Sequence, residues 1–187
     1  MLALALPELL EALQFAAIKH QYDRRSGYGR LPYINHLIKV TNTLVNRGGE
    51  HEDTLLLAAA LHDIVEDTDV TGEDLAQRFG HAVADTVLEL TDDMSLSYQE
   101  RKQRQLETAH QLSPRARKIR LVDKASNIRD IFSYPLTWTL DKKAAYVDNS
   151  KQIAAIIKGE NPKLDAWFDQ TINWAARQLE HQRHFNH

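Results

Sequence analysis

At 187 residues, with 43% hydrophobic and 26% charged side chains, the chain has room for one domain with a substantial core. Its formal net charge of −3 is the wrong sign for a general nucleic-acid binder, which carries a basic excess, so no nucleic-acid partner is expected. The absence of cysteine excludes disulfides, thiolate metal sites and cysteine nucleophiles; any metal must be held by nitrogen and oxygen.

The chain opens on an apolar run, Met1 to Pro7, with no basic residue before it and with Glu8 and Glu11 close behind, which reads as the start of a helix rather than a signal peptide. Apolar residues then recur at three- and four-residue spacing in Leu9/Leu13/Ala16/Ala17, and after a loop near 23–32 in Ile34/Ile38/Thr41/Val45. Gly48-Gly49 sits where that second helix should stop. Leu55/Leu56/Ala59/Ala60 predicts a third helix, and a loop near 67–71 follows. Thr71 with Asp74 resembles a capping box before Leu75/Phe79 and Val83/Val87/Leu90. Beyond a loop near 91–97, no apolar series identifies what precedes Ser113-Pro114, an N-cap followed by proline at the first helical position. The series Ile119/Val122/Ile128/Ile131, a loop near 133–139, Ile153/Ile156/Ile157, and Leu164/Phe168/Ile172/Ala175/Leu179 after Asn161-Pro162 complete the pattern, with Gly159 as a further helix stop. No strand alternation is present. The expected fold is all-α, a single domain over 1–187 of about eight to ten helices, with a core near 10–160 and a C-terminal helix near 162–183. No apolar run approaches the roughly 20 residues needed to span a bilayer, so a cytoplasmic location without a membrane partner is expected. Oligomeric state is not legible.

The chemistry concentrates in Leu57 to Asp67, where an apolar run ends in His62-Asp63 and is followed by Glu66-Asp67. Burying a histidine and three acids beside alanines and leucines is costly unless a cation or a dense hydrogen-bond network compensates them. Neighbours on a helix lie about 100° apart, so His62 and Asp63 share an ion only with ligands from elsewhere. His36 and Asp123 each interrupt an apolar helical face and are the candidates. Taken singly, His36 reads as well as a hydrogen-bonded core histidine, and Asp123 as the partner of Arg120. Together the four make a mixed nitrogen and oxygen set suited to Mn, Fe, Zn, Co or Ni.

His36…His62-Asp63…Asp123 resembles the H…HD…D signature of the HD-domain metal-dependent phosphohydrolases. The finer resemblance is to the hydrolase domain of RelA/SpoT-type proteins and to stand-alone small alarmone hydrolases. It is carried by Pro32-Tyr33-Ile34-Asn35-His36, by Ala60-Leu61-His62-Asp63-Ile64-Val65-Glu66-Asp67-Thr68, by Phe79-Gly80…Val83…Val87…Leu90-Thr91-Asp92 and by Leu121-Val122-Asp123-Lys124-Ala125-Ser126-Asn127. The segment from Gln21 to Arg30 departs from the Gln-x-Arg-Lys-x-Gly pattern usual there. The resemblance implies an HD-type helical bundle and a free-standing hydrolase. It further implies removal of the 3′-pyrophosphate from guanosine tetra- or pentaphosphate, with one divalent ion, Mn²⁺, held by His36, His62, Asp63 and Asp123. Within that reading Glu66 and Asp67, one turn beyond His62 and Asp63 if the helix continues, would orient and deprotonate the attacking water. Asn127, one turn after Asp123, would bond the ribose or a ligand carboxylate. Arg24, Arg25 and Lys124 are the candidate phosphate clamps, since guanidinium forks match phosphate oxygens. Arg24 and Arg25 read equally as solvated loop charges. Tyr146 stands where the family places a nucleotide-contacting tyrosine, or is a packing residue. Two other functions stay open: action on another nucleotide (ppApp, a nucleoside monophosphate or NADPH), and an idle nucleotide-binding module. The basic run Arg115 to Arg120 reads as a solvated face, and His181, His184 and His187 as a frayed end.

Overall fold

The computed structural model describes residues 6–25, 31–134 and 136–185. The expected helix start at 1–5, the middle of the 23–32 loop and His187 lie outside the described residues. Within them the order is α1 (Leu6–Lys19), α2 (Ile34–Thr43), α3 (Asp53–Leu61), a single turn α4 (Ile64–Asp67), α5 (Gly72–Phe79), α6 (His81–Leu90), α7 (Tyr98–Thr108), α8 (Pro114–Ser133), α9 (Leu140–Ile157) and α10 (Pro162–Phe185). One isolated bridge, Arg24 to Pro32, is the extended pairing present among these residues.

The centre is α3, apolar on every side, with Leu55, Leu56, Ala58, Ala59, Ala60 and Leu61 all buried. A helix without a polar face must be surrounded, and α3 packs against α1, α2, α6 and α8. Its alanines admit close neighbours, and this brings residues from α2 and α8 to its C-terminal end. α10 lies along α8 and α9. The caps read from sequence are in place: the Thr71–Asp74 capping box, Ser113 accepting from the Ala116 amide, and Asn161 accepting from the Lys163 and Leu164 amides. Gly49 ends the second helical run in the left-handed conformation (φ 72°), after a π-helical segment Leu44–Gly48 that continues α2.

Three departures matter. The buried face of α2 is His36, Leu37, Val40 and Thr41, while Ile38 is 45% exposed, so the α2 stripe is rotated from the expected one. Ile156 of α9 is likewise exposed. Helix α7, which no apolar series announced, buries chiefly Gln105 and is started by a Ser97–Glu100 capping box.

Candidate metal centre

The helix read through His62-Asp63 does not continue. α3 ends at Leu61, and Asp63, at φ −102° and ψ −2°, swings the chain into α4. Glu66 and Asp67 therefore occupy the last two positions of the separate turn α4 rather than the next turn of α3.

Three elements converge on the break. His36 Nε2 from α2 lies 3.1 Å from Asp123 Oδ1 of α8 and 3.7 Å from Asp63 Oδ2. His62 Nε2 lies 3.2 Å from Asp63 Oδ2 and 3.8 Å from Asp123 Oδ1. Donors bound at about 2.0–2.2 Å and at right angles around one cation would stand ~3 Å apart, so these spacings suit a shared ion. The nitrogens demand a partner as well: His36 Nδ1, His36 Nε2 and His62 Nε2 are buried with no hydrogen bond. His62 Nδ1 is 2.9 Å from the Ala59 carbonyl, which only accepts, so Nδ1 carries a proton and Nε2 is the nitrogen turned to the cluster, where an ion would replace its proton. His36, His62 and Asp123 thus form a buried divalent-metal cluster, with Asp63 alongside.

The charges fit a cation. Burial pushes both carboxyls up, but the neighbouring imidazoles win; Asp63 is lowered and Asp123 is held well below the usual carboxylate range. Burial alone would lower His62, yet Asp63 and Asp123 outweigh it and raise it to about 9. For His36 burial dominates and the pKa falls.

A second layer holds the carboxylates. The Tyr33 hydroxyl donates to Asp63 Oδ2 at 2.8 Å, and Asn127 Nδ2 donates to Asp123 Oδ1 at 2.6 Å, the ligand-carboxylate role open to Asn127. Arg25 donates to Asn127 Oδ1 and pairs with Asp130 at 3.2 Å, and Lys39 also reaches Asp130. Arg120, by contrast, donates to the Leu90 carbonyl, so it is not the partner of Asp123.

Beside the cluster opens a cleft of about 410 Å³, lined by Arg24, Arg25, Tyr33, Glu66, Asp67, Tyr98, Asn127, Asp130, Ile131, Leu136, Trp138 and Tyr146. Glu66 accepts from the Asp92 amide at 3.0 Å. Its pKa is pushed up to about 7, by burial first, against that hydrogen bond, with the charges of Asp92, Asp63 and Asp67 adding to the rise. Asp67 is raised by burial and by Asp63. The Trp138 and Tyr146 rings, 6.0 Å apart, also line the cleft. Arg24 turns its guanidinium onto the Gln21 and Asp23 carbonyls at the cleft edge.

Lys124 is placed differently from the expected clamp. It is buried, 3.1 Å from Gln105 Oε1, and does not line the cleft. Burial, with Lys102 and Arg120 nearby, lowers it to about 7. Sequence reading missed Tyr33, Asp130, Tyr98 and Trp138. Asp123, Asn127 and Asp130 share one helical face at i, i+4 and i+7, a legible signal; Tyr98 and Trp138 carry none. The basic run is a paired surface face, with Lys118 to Glu50 and Arg117 to Glu160.

An all-α bundle carrying two histidines and two aspartates at a helix break defines a metal-dependent class of hydrolase folds, and the chain belongs to the HD domain family, whose model matches residues 12–157. Within that family it is similar to the guanosine-3′,5′-bis(diphosphate) 3′-pyrophosphohydrolase MESH1 of Drosophila melanogaster, with 40% identity over 87% of this chain and 92% of that protein. It matches human MESH1 at 40% identity over 84% and 89%. A solved structure of a metazoan SpoT ortholog that hydrolyses ppGpp superimposes with a TM-score of 0.86 at 39% identity, covering 89% of this chain and 94% of that one. Among the described residues no helix is long and apolar enough to cross a membrane.

Proposed function

We propose that this chain hydrolyses guanosine 3′,5′-bis(diphosphate), releasing the 3′-diphosphate as pyrophosphate and leaving GDP, or GTP from the pentaphosphate. One observation carries the reading: relatives matching nearly the whole chain at 40% identity are named for that reaction. The donor cluster beside a cleft lined by two arginines and aromatic rings supports it. We read residues 1–187 as one hydrolase domain and its compartment as the cytoplasm, where a soluble nucleotide would be met.

We assign His36, His62, Asp63 and Asp123 as ligands and Mn²⁺ as the ion, a choice that imidazole and carboxylate donors accept. Such an ion supplies polarisation of a phosphoryl oxygen and acidification of water. Glu66, titrating near neutrality and anchored by the Asp92 amide, takes the proton of the attacking water, and Asp67 orients that water. The oxygen–phosphorus bond to the ribose 3′ oxygen breaks, and that oxygen ends protonated. Arg25, already committed to Asn127 and Asp130, presents its remaining guanidinium face to phosphate, with Arg24 at the rim. Trp138 and Tyr146 would offer the base an aromatic wall.

The test is release of pyrophosphate from ppGpp by the Mn²⁺-loaded protein, run beside ppApp, nucleoside monophosphates and NADPH. Turnover of one of these with none of ppGpp would replace the substrate and keep the site. No turnover of any, with metal bound, would favour a binding module.

A further inference from the structure

His20, just beyond α1, is 2% exposed and belongs to no motif. Its Nδ1 lies 2.9 Å from Asp23 Oδ2, and the Asp23 carbonyl accepts from the Tyr33 amide at 3.1 Å. The imidazole is stacked on the Tyr33 ring, with centroids 4.9 Å apart and planes 20° from parallel. Its Nε2 is buried without a hydrogen bond, an arrangement that costs stability and that a phenylalanine would avoid. The Tyr33 hydroxyl, at the far end of the stacked ring, donates to Asp63 Oδ2, the oxygen that also faces both cluster histidines.

We propose that His20 is a positioning residue of the metal centre: anchored by Asp23 and stacked on Tyr33, it fixes the ring whose hydroxyl orients Asp63. The inference rests on reading Asp63 as a metal ligand. Tyrosine has two side-chain torsions; the stack sets the ring plane, and the Asp23–Tyr33 backbone bond sets its root. The hydroxyl at the tip of that ring donates to Asp63 Oδ2 at 2.8 Å. The carboxylate is thereby turned toward the imidazole nitrogens. Groups that hold a ligand in this way change metal affinity by about 10–100-fold when removed.

The experiment is calorimetric titration of the full-length, chelator-stripped protein with Mn²⁺ alone. Tyr33→Phe and His20→Ala should each weaken binding about tenfold. The double variant should be no weaker than Tyr33→Phe by more than about twofold, because His20 acts only through that hydroxyl. His20→Phe, which retains a stacking ring, should recover most of the affinity and guards against loss of fold. Wild-type affinity in His20→Ala, or penalties that multiply in the double variant, would overturn the proposal. Asp63→Asn separates the layers: unchanged binding there sinks the ligand reading and this proposal with it, whereas lost binding with an unaffected Tyr33→Phe sinks this proposal alone.

Discussion

Glu66→Gln should make the metal-free protein more stable and the loaded enzyme inactive. The substitution keeps an oxygen to accept from the Asp92 amide, 3.0 Å away, and removes only the charge. The Glu66 carboxyl is raised from 4.5 to about 7, chiefly by burial. A raised acid contributes stability fully present below its unfolded pKa, lost as pH rises through the folded one. Wild type should therefore lose stability between about pH 4.5 and 7, and the glutamine variant should not. At about 1.4 kcal/mol per pKa unit the ceiling is ~3 kcal/mol, and partial solvent screening reduces it to about 1–2 kcal/mol. For a domain of this size that is a melting-temperature gain of roughly 2–8 °C at pH 8, vanishing near pH 4.5. The assay is thermal melting at both pH values in the presence of chelator, since a bound cation would itself lower the carboxyl pKa. Turnover should fall by about 10²–10⁴ while Mn²⁺ binding persists. A pH-independent difference, or a glutamine variant less stable at pH 8, would refute the assigned environment. Loss of metal would mean that Glu66 is a ligand.

Asn127→Ala removes the donor to Asp123 Oδ1 and should weaken Mn²⁺ about 10–100-fold in a metal titration, with melting of the metal-free protein little changed. Trp138→Ala opens the cleft wall facing Tyr146; KM for ppGpp should rise about tenfold or more in steady-state assays while kcat changes less. Arg25→Lys keeps the charge but not the planar guanidinium, whose Nη2 donates to both Asn127 and Asp130 and leaves its other nitrogens for phosphate, so kcat/KM should fall at least about tenfold. Gly48→Val drives new carbon into Leu164, whose side chain already lies 3.0 Å from where a Cβ would stand, and should cost about 1–3 kcal/mol by urea denaturation.

The buried cluster of His36, His62 and Asp123, with Asp63 alongside, and most helices are legible in the sequence because each leaves a local mark. A helix buried on all sides, such as α3, reads as an apolar run, and a costly interruption such as His62-Asp63 stands out against it. Capping chemistry is equally local, which is why Thr71, Ser113 and Asn161 could be read in advance; Ser97 with Glu100 was there to be read for α7. What the tertiary structure alone decided is orientation. The turn at Asp63 places Glu66 and Asp67 on the cleft, and the crossing of α8 carries Lys124 inward to Gln105, off the cleft lining. Tyr98 and Trp138 reach the same cleft from separate segments, and His20 meets Tyr33 across a loop. Periodicity reports which face of one helix is dry. Where two dry faces meet depends on helix crossings, and these are set by side-chain packing across segments far apart in sequence.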